Sequence, residues 1–234
     1  MSNVSLFIGG ISPLPESRRP TGMFKHAAGG PHHLGSEGFS GDEQADRRVH
    51  GGPDKAVHLY PAVHYGRLAT AFPEAAGELK PGSMGENISS PTLDESQVRI
   101  GDVFALGDAR LQVCQPRNPC WKIDDRFGVA GMAAFIAEQW LTGWYFRVVQ
   151  PGAVAPESTL LLVEAAAGAP TLAAAMALWA THRPAPAALR QLAETPGIAS
   201  GWQRKILDRL AWLENNPGSF VPAAPTFHVK PETL

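Results

Sequence analysis

The chain has 234 residues, 44% of them hydrophobic, enough to bury a full core and to form one main domain with an appendage. Its 20 Lys and Arg nearly cancel 22 Asp and Glu, leaving a formal net charge of -2. That balance excludes a field drawing the whole fold to nucleic acid or an anionic membrane, so an anionic ligand must be met by a local cluster.

The first residues, MSNVSLFIGGISPLPESRR, hold a short apolar run with no basic residue before it and no small-residue cleavage pattern after it, which argues against a secretory signal. From there to about residue 160 the chain is rich in Gly and Pro and carries short runs of strand character: SLFIGGI, GMFKHA, KAVHLY, QVRIGDVFAL, ARLQVCQ and WYFRVV. In KAVHLY, Val57 and Leu59 alternate with His58 and Tyr60; in ARLQVCQ, Leu111 and Val113 alternate with Gln112 and Cys114, the period of a half-buried strand. Two helices interrupt these runs. PAVHYGRLATAF opens on Pro61, suited to a helix first turn, and spaces Val63, Leu68 and Phe72 along one side, while VAGMAAFIAEQWLTG repeats apolar residues at helical period. Short strands separated by turns predict a curled or closed β-sheet with the helices packed on it.

After about residue 165 alanine and leucine rise and strand signals vanish. The stretch TLLLVEAAAGAPTLAAAMALWA is broken by Glu164, Gly168 and Pro170, so it lacks the roughly 20 uninterrupted apolar residues of a membrane span. Three helices are predicted: PTLAAAMALWAT with Thr171 as N-cap; APAALRQLAETPG, ending before Pro196 and Gly197; and SGWQRKILDRLAWLEN, which puts Trp202, Ile206, Leu210 and Leu213 on one stripe. The closing PGSFVPAAPTFHVKPETL is proline-rich and reads as an arm.

Three stretches carry candidate chemistry. In GDEQADRRVHGGPDKAVHLY, consecutive glycines free backbone N–H groups to converge on an anion, and Arg47, Arg48 and Lys55 add donors for phosphate; the same residues also read as a tight turn before a strand. GSMGENIS is a glycine-rich loop with Glu86 and Asn87 as polar side chains, and such loops often only turn. In QPRNPCWK, Cys120 lies between Pro119 and Trp121 with Arg117 and Lys122 close by, a setting that favours a thiolate, the form that attacks electrophiles and binds soft metals. Cys114, inside a strand, reads as a structural thiol. Two cysteines make no disulfide framework, and a reducing cytoplasm fits.

Other chemistries lack their patterns. There is no Gly-Lys-Ser/Thr ending of a phosphate loop, no GxGxxG and no GxSxG, and no HExxH or CxxC despite 8 histidines. A nucleophile pair of Cys120 with His50, His58 or His64 stays open, since such partners meet only in space.

GDEQADRRVHGGPDKAVHLYP, GSMGENIS, VRIGDVFALGDARLQVCQPRNPCWKI and the three-helix end, in that order over nearly the whole chain, resemble the MOSC family, named for the C-terminal domain of molybdenum cofactor sulfurase, and within it the YiiM-like branch that ends in a three-alpha domain. The resemblance implies a mainly β (α+β) fold: a MOSC β-barrel domain with packed helices over residues 1–164, a three-helix domain over 165–220 and a tail over 221–234. It implies the molybdenum cofactor, molybdopterin carrying Mo, with Cys120 at the position of the family's metal-ligating, catalytic cysteine. By motif, Arg47, Arg48, His50, Gly51, Lys55, Glu86, Asn87, Arg117 and Asn118 fall in segments expected near that cofactor; read as adjacent strand residues, Arg47 and Arg48 face opposite ways. HAAGGPHHLGSEG, residues 26–38, matches the family loosely, which leaves the pocket entrance open.

The implied activity is reduction of N-hydroxylated compounds, such as hydroxylaminopurines or amidoxime-like substrates, to amines. With no flavin, haem or iron–sulfur motif in the chain, electrons would come from a separate reductase, a flavoprotein or similar. Two alternatives stand beside it: a sulfur carrier holding a persulfide on Cys120, and a pterin- or anion-binding domain without turnover. No nucleic-acid or membrane partner is expected, and the setting is cytoplasmic.

Overall fold

The computed structural model describes residues 2–216; the arm expected over 221–234 lies outside the described residues. A nine-stranded sheet runs in the order Ser2–Asn3, Thr159–Glu164, Val103–Leu106, Ala109–Pro116, Trp144–Gln150, Val57–Pro61, Ile88–Ser90, Ser5–Ile8 and His26–Ala27. Its first strand and its last but one come from one stretch of chain. Ser2 and Asn3 pair with Leu160 and Thr159, while Ser5 and Leu6, one residue further on, pair with Ser89 and Ile88. The sheet thereby closes into a barrel and hides the edges that an open sheet exposes.

Among the described residues seven α-helices accompany it: α1 (Arg47–His50), α2 (Val63–Ala71), α3 (Lys122–Phe127), α4 (Met132–Glu138), α5 (Leu172–Ala180), α6 (Pro186–Ala193) and α7 (Ser200–Asn215). Val57–Pro61 runs parallel to Ile88–Ser90, and a parallel pair needs a crossover, which α2 supplies. The alternation read in KAVHLY holds, but both faces of this strand are buried. Val57 and Leu59 join Leu111, Val113 and Phe146 in the barrel core, while Tyr60 enters a second cluster with Leu68 of α2, Ile123 of α3 and Ile136 of α4.

Several expectations are corrected. Pro61 ends the strand instead of opening the helix, because Ala62 supplies the N–H that proline lacks, donating to Ser90 O at 2.7 Å. α2 then starts at Val63, which faces solvent while His64, Tyr65 and Leu68 are buried. Of GMFKHA only His26–Ala27 pairs, and SLFIGGI leaves the sheet after Ile8. Of QVRIGDVFAL only Val103–Leu106 pairs in the barrel; Val98 instead accepts from Leu172 N–H at 2.9 Å, and Arg99 bridges Thr171. Thr159–Glu164 forms a barrel strand that the sequence reading lacks, since an unbroken apolar run has neither strand nor helix period.

The helical end follows its sequence pattern. Thr171 caps α5, its hydroxyl accepting from Ala174 N at 3.1 Å, and α7 buries Trp202, Ile206, Leu210 and Leu213. These side chains belong to the same core as Val98, Ile100, Leu111 and Val113 of the barrel unit. Ile206→Ala is therefore expected to lower unfolding free energy by about 2–5 kcal/mol in urea titration. A loss below about 1 kcal/mol would show that the site collapses around the deletion.

Candidate functional site

α1 opens on Asp46, whose carboxylate caps the turn by accepting from Arg48 N at 3.1 Å. Arg47 and Arg48 thus sit in one helical turn, not in a strand as expected, because this cap satisfies the N–H groups that a strand partner would have taken. Both are exposed, Arg47 paired with Glu37 and Arg48 with Asp46. A Cβ at Gly51 would lie 3.0 Å from Arg47 Cα, and Gly52 has φ 91°, a conformation that side chains disfavour. Pro53–Lys55 then forms a 3-10 turn, closed by Lys55 N–H to Gly52 O at 2.9 Å. HGGPDK is therefore a tight turn, and its outer residues also reach a cavity.

Asp54 anchors that turn on two sides. It accepts from Arg147 Nε at 2.8 Å and from Ser200 N at 3.0 Å, so the barrel and the first residue of α7 hold the loop together. The helical end thereby sets the position of Lys55, whose ammonium donates to Val49 O.

The cavity encloses ≈ 80 Å³ and brings Cys120, Arg117, Lys122, His50, Lys55 and Asn87 together, with His58, Tyr145, Lys25 and Asp42 completing the wall. Cys120 is a half-buried free thiol two residues before α3, its carbonyl accepting from Ile123 N at 3.0 Å. Arg117 is 7% exposed and lies against the Tyr145 hydroxyl, yet its Nη1 has no hydrogen-bond partner. A buried cation with an unused donor is costly unless an anion completes it.

Burial, reinforced by Lys122, Arg117 and Lys55, pulls His50 down to about 4. Burial and then Arg117 hold His58 well below its ordinary value. His50 thus binds its proton more weakly folded than unfolded, where it titrates near 6.5. Its contribution to stability is complete above about pH 6.5 and is lost as pH falls toward about 4. His50→Gln is expected to flatten that limb of a stability-against-pH curve; an unchanged slope would show a ring that keeps its hydration.

A wider groove of ≈ 720 Å³ adjoins the cavity through Ala45, His50 and Lys122 and is lined further by Arg19, Arg47, Arg48 and Trp121. Arg19 stacks over Trp121 with 5.7 Å to the ring centroid. Arg47 and Arg48, expected near the cofactor, therefore reach the groove and not the cavity.

Glu86 is fully buried and outside the cavity wall. It accepts from Tyr65 OH and Gly82 N, each at 2.6 Å, and from Met84 N at 3.1 Å, so it braces the GSMGENIS loop from behind. Burial raises its pKa against those hydrogen bonds. Asn87 does face the cavity, while Asn118 is half-buried and lines neither cavity nor groove. Cys114 is buried, donates to Asp54 O at 3.1 Å and is pushed up in pKa by burial, as a structural thiol should be. Of the histidines weighed as partners of Cys120, His50 and His58 share its cavity; His64 is held by Glu95 at 2.8 Å elsewhere.

Sequence reasoning missed Lys25 and Asp42. They form an ion pair in the cavity wall, and Asp42 also accepts from Asn87 Nδ2 at 2.9 Å and Gly9 N at 3.0 Å. No local pattern announces the pair, since its members come from separate loops.

Among the described residues, no group of three or more His, Cys, Asp or Glu is placed to hold a metal ion. A metal at Cys120 would thus take its other ligands from a cofactor, and the orphaned Arg117 donor fits an anionic one. No helix among the described residues is long and apolar enough to cross a membrane.

The MOSC domain family matches residues 46–160, the span from the cap of α1 to the start of the closing strand. Protein YiiM of Escherichia coli (strain K12) is 35% identical over 88% of this chain and 91% of its own length. The crystal structure of YiiM from Escherichia coli superposes with TM-score 0.76 at 29% identity, covering 95% of this chain and 98% of that one. A protein of Gibberella moniliformis named "Reductase" is 32% identical over 61% of this chain but only 25% of its own length. Matched over nearly its whole length by these relatives, the chain belongs to the MOSC-domain family as a YiiM-like member.

Proposed function

We propose that the chain is a molybdenum-cofactor-dependent reductase that converts N-hydroxylated compounds to amines. The observation that carries this reading is the half-buried Cys120 thiol in one cavity with a buried arginine whose Nη1 lacks a partner. A relative named a reductase supports the direction of the chemistry.

When bound, the cofactor supplies the two-electron removal of oxygen. The chain's own residues do the rest. Cys120 holds the metal as thiolate, and Arg117 offers its free donor and fixed charge to anionic oxygen. His50 and Lys55 wall the small cavity, while Lys122, Arg47 and Arg48 border the groove, which is the larger space and suits the pterin and its phosphate. Gly51 and Glu86 act at one remove, shaping the loops that carry His50 and Asn87. Electrons come from a separate reductase, a flavoprotein or similar, in a reducing cytoplasm.

The test is elemental analysis of protein purified from a host that makes the cofactor, followed by viologen-driven assay on hydroxylaminopurines. Near-stoichiometric molybdenum with amine formation is expected. Metal-free protein bearing labile sulfur on Cys120 would replace the reading with sulfur transfer, and molybdenum without amine formation would reduce it to binding alone.

A further inference from the structure

Resting on that reading, we infer that Lys25 is the acid that protonates the oxygen leaving the substrate nitrogen. Lys25 and Asp42 side chains are 4% and 1% exposed, and both line the cavity that contains Cys120. A buried ion pair is weak evidence for stability, since desolvating two charges offsets their attraction. Its position in the wall of a reaction cavity gives it another use.

The pair is rigidly mounted. Asp42 is fixed by Gly9 N and by Asn87 Nδ2, and Asn87 is itself fixed by accepting from His58 N at 3.2 Å and donating to Phe7 O at 3.3 Å. Among the described residues Asp42 is the only hydrogen-bond partner of the Lys25 ammonium, which leaves two of its three N–H donors for a ligand. The charged and titratable groups facing Lys25 are Asp42 from a separate loop, Glu86 from the loop behind, and His58 from the barrel, with Arg117 across the cavity. Burial lowers the Lys25 pKa, while Asp42 and Glu86 resist that. An ammonium more acidic than a free lysine is a better proton donor near neutrality.

The balance is simple. The N–O bond of R–NH–OH takes up two electrons, supplied by the separate reductase, and breaks. The departing hydroxide takes a proton from Lys25 and leaves as water; the nitrogen takes a second proton from solvent to give R–NH2. Lys25 is then reprotonated from water at the cavity mouth.

Lys25→Arg tests this, because arginine keeps the ion pair with Asp42 but does not give up its proton. The variant is expected to retain parental molybdenum content and to lose about 10²–10⁴-fold in turnover of hydroxylaminopurine. In cofactor-free protein labelled with ¹⁵N-lysine, one Nζ resonance should titrate below the ordinary lysine range and vanish in Lys25→Arg. Turnover within threefold of parent, or no such resonance, overturns the assignment of Lys25 while leaving the reductase reading intact. Parental protein that holds molybdenum and forms no amine overturns both.

Discussion

Cys120→Ala, made in a host that supplies the cofactor, is expected to fold normally and to yield protein with almost no molybdenum and no amine-forming activity. Among the described residues its thiol is the one cysteine lining the cavity, and no cluster of His, Cys, Asp or Glu side chains substitutes for it. The loss should exceed the roughly 10–100-fold that removal of a mere outer partner brings to metal affinity. Cys114→Ala is the matching control. That sulfur is buried in the strand Ala109–Pro116 and bonded to backbone carbonyls, so metal content should stay at the parental level while stability falls modestly. Equal molybdenum in Cys120→Ala and parent would end the proposed function.

Arg117→Met should move two measurements in opposite directions. In cofactor-free protein the substitution removes a buried cation with an unsatisfied donor, so stability is expected to hold or rise by about 1–3 kcal/mol. That corresponds to roughly 2–4 °C in Tm per kcal/mol for a chain of this size. In the same variant molybdenum retention should fall about 10–100-fold, as when a partner of a metal-bound group is lost. Stability and retention falling together would instead show Arg117 to be a structural brace for Tyr145 and the strand beside it.

What was legible in the sequence follows from how far each contact reaches. α7 was legible because Trp202, Ile206, Leu210 and Leu213 recur at the helix's own period, whatever they pack against. The strand Val57–Pro61 was legible by alternation, although its second buried face depends on α2, α3 and α4, which a period of two does not reveal. Ile88–Ser90 and Thr159–Glu164 were not legible, since they are strands by virtue of partners distant in the chain.

The site divides the same way. Cys120, Arg117, His50, Lys55 and Asn87 lie in stretches whose local chemistry is unusual, and the fold gathers them around one cavity. Glu86 shares such a stretch but spends its carboxylate on backbone N–H groups behind it, a choice of direction that composition does not encode. Arg47 and Arg48 read as strand neighbours in the sequence, because the cap made by Asp46 is a matter of backbone geometry. Lys25 and Asp42 are 17 residues apart, and only the folded loops make them neighbours.

The stretch Ser2–Ile8 pairs on one side with Ser89 and Ile88 and on the other with Leu160 and Thr159. During synthesis this stretch leaves the ribosome before either partner, so the barrel's keystone is made early and locked late. Until the strand Thr159–Glu164 emerges, its backbone donors on that side stay open to foreign strands, which makes slow translation through the second half of the barrel the period of greatest risk of aggregation.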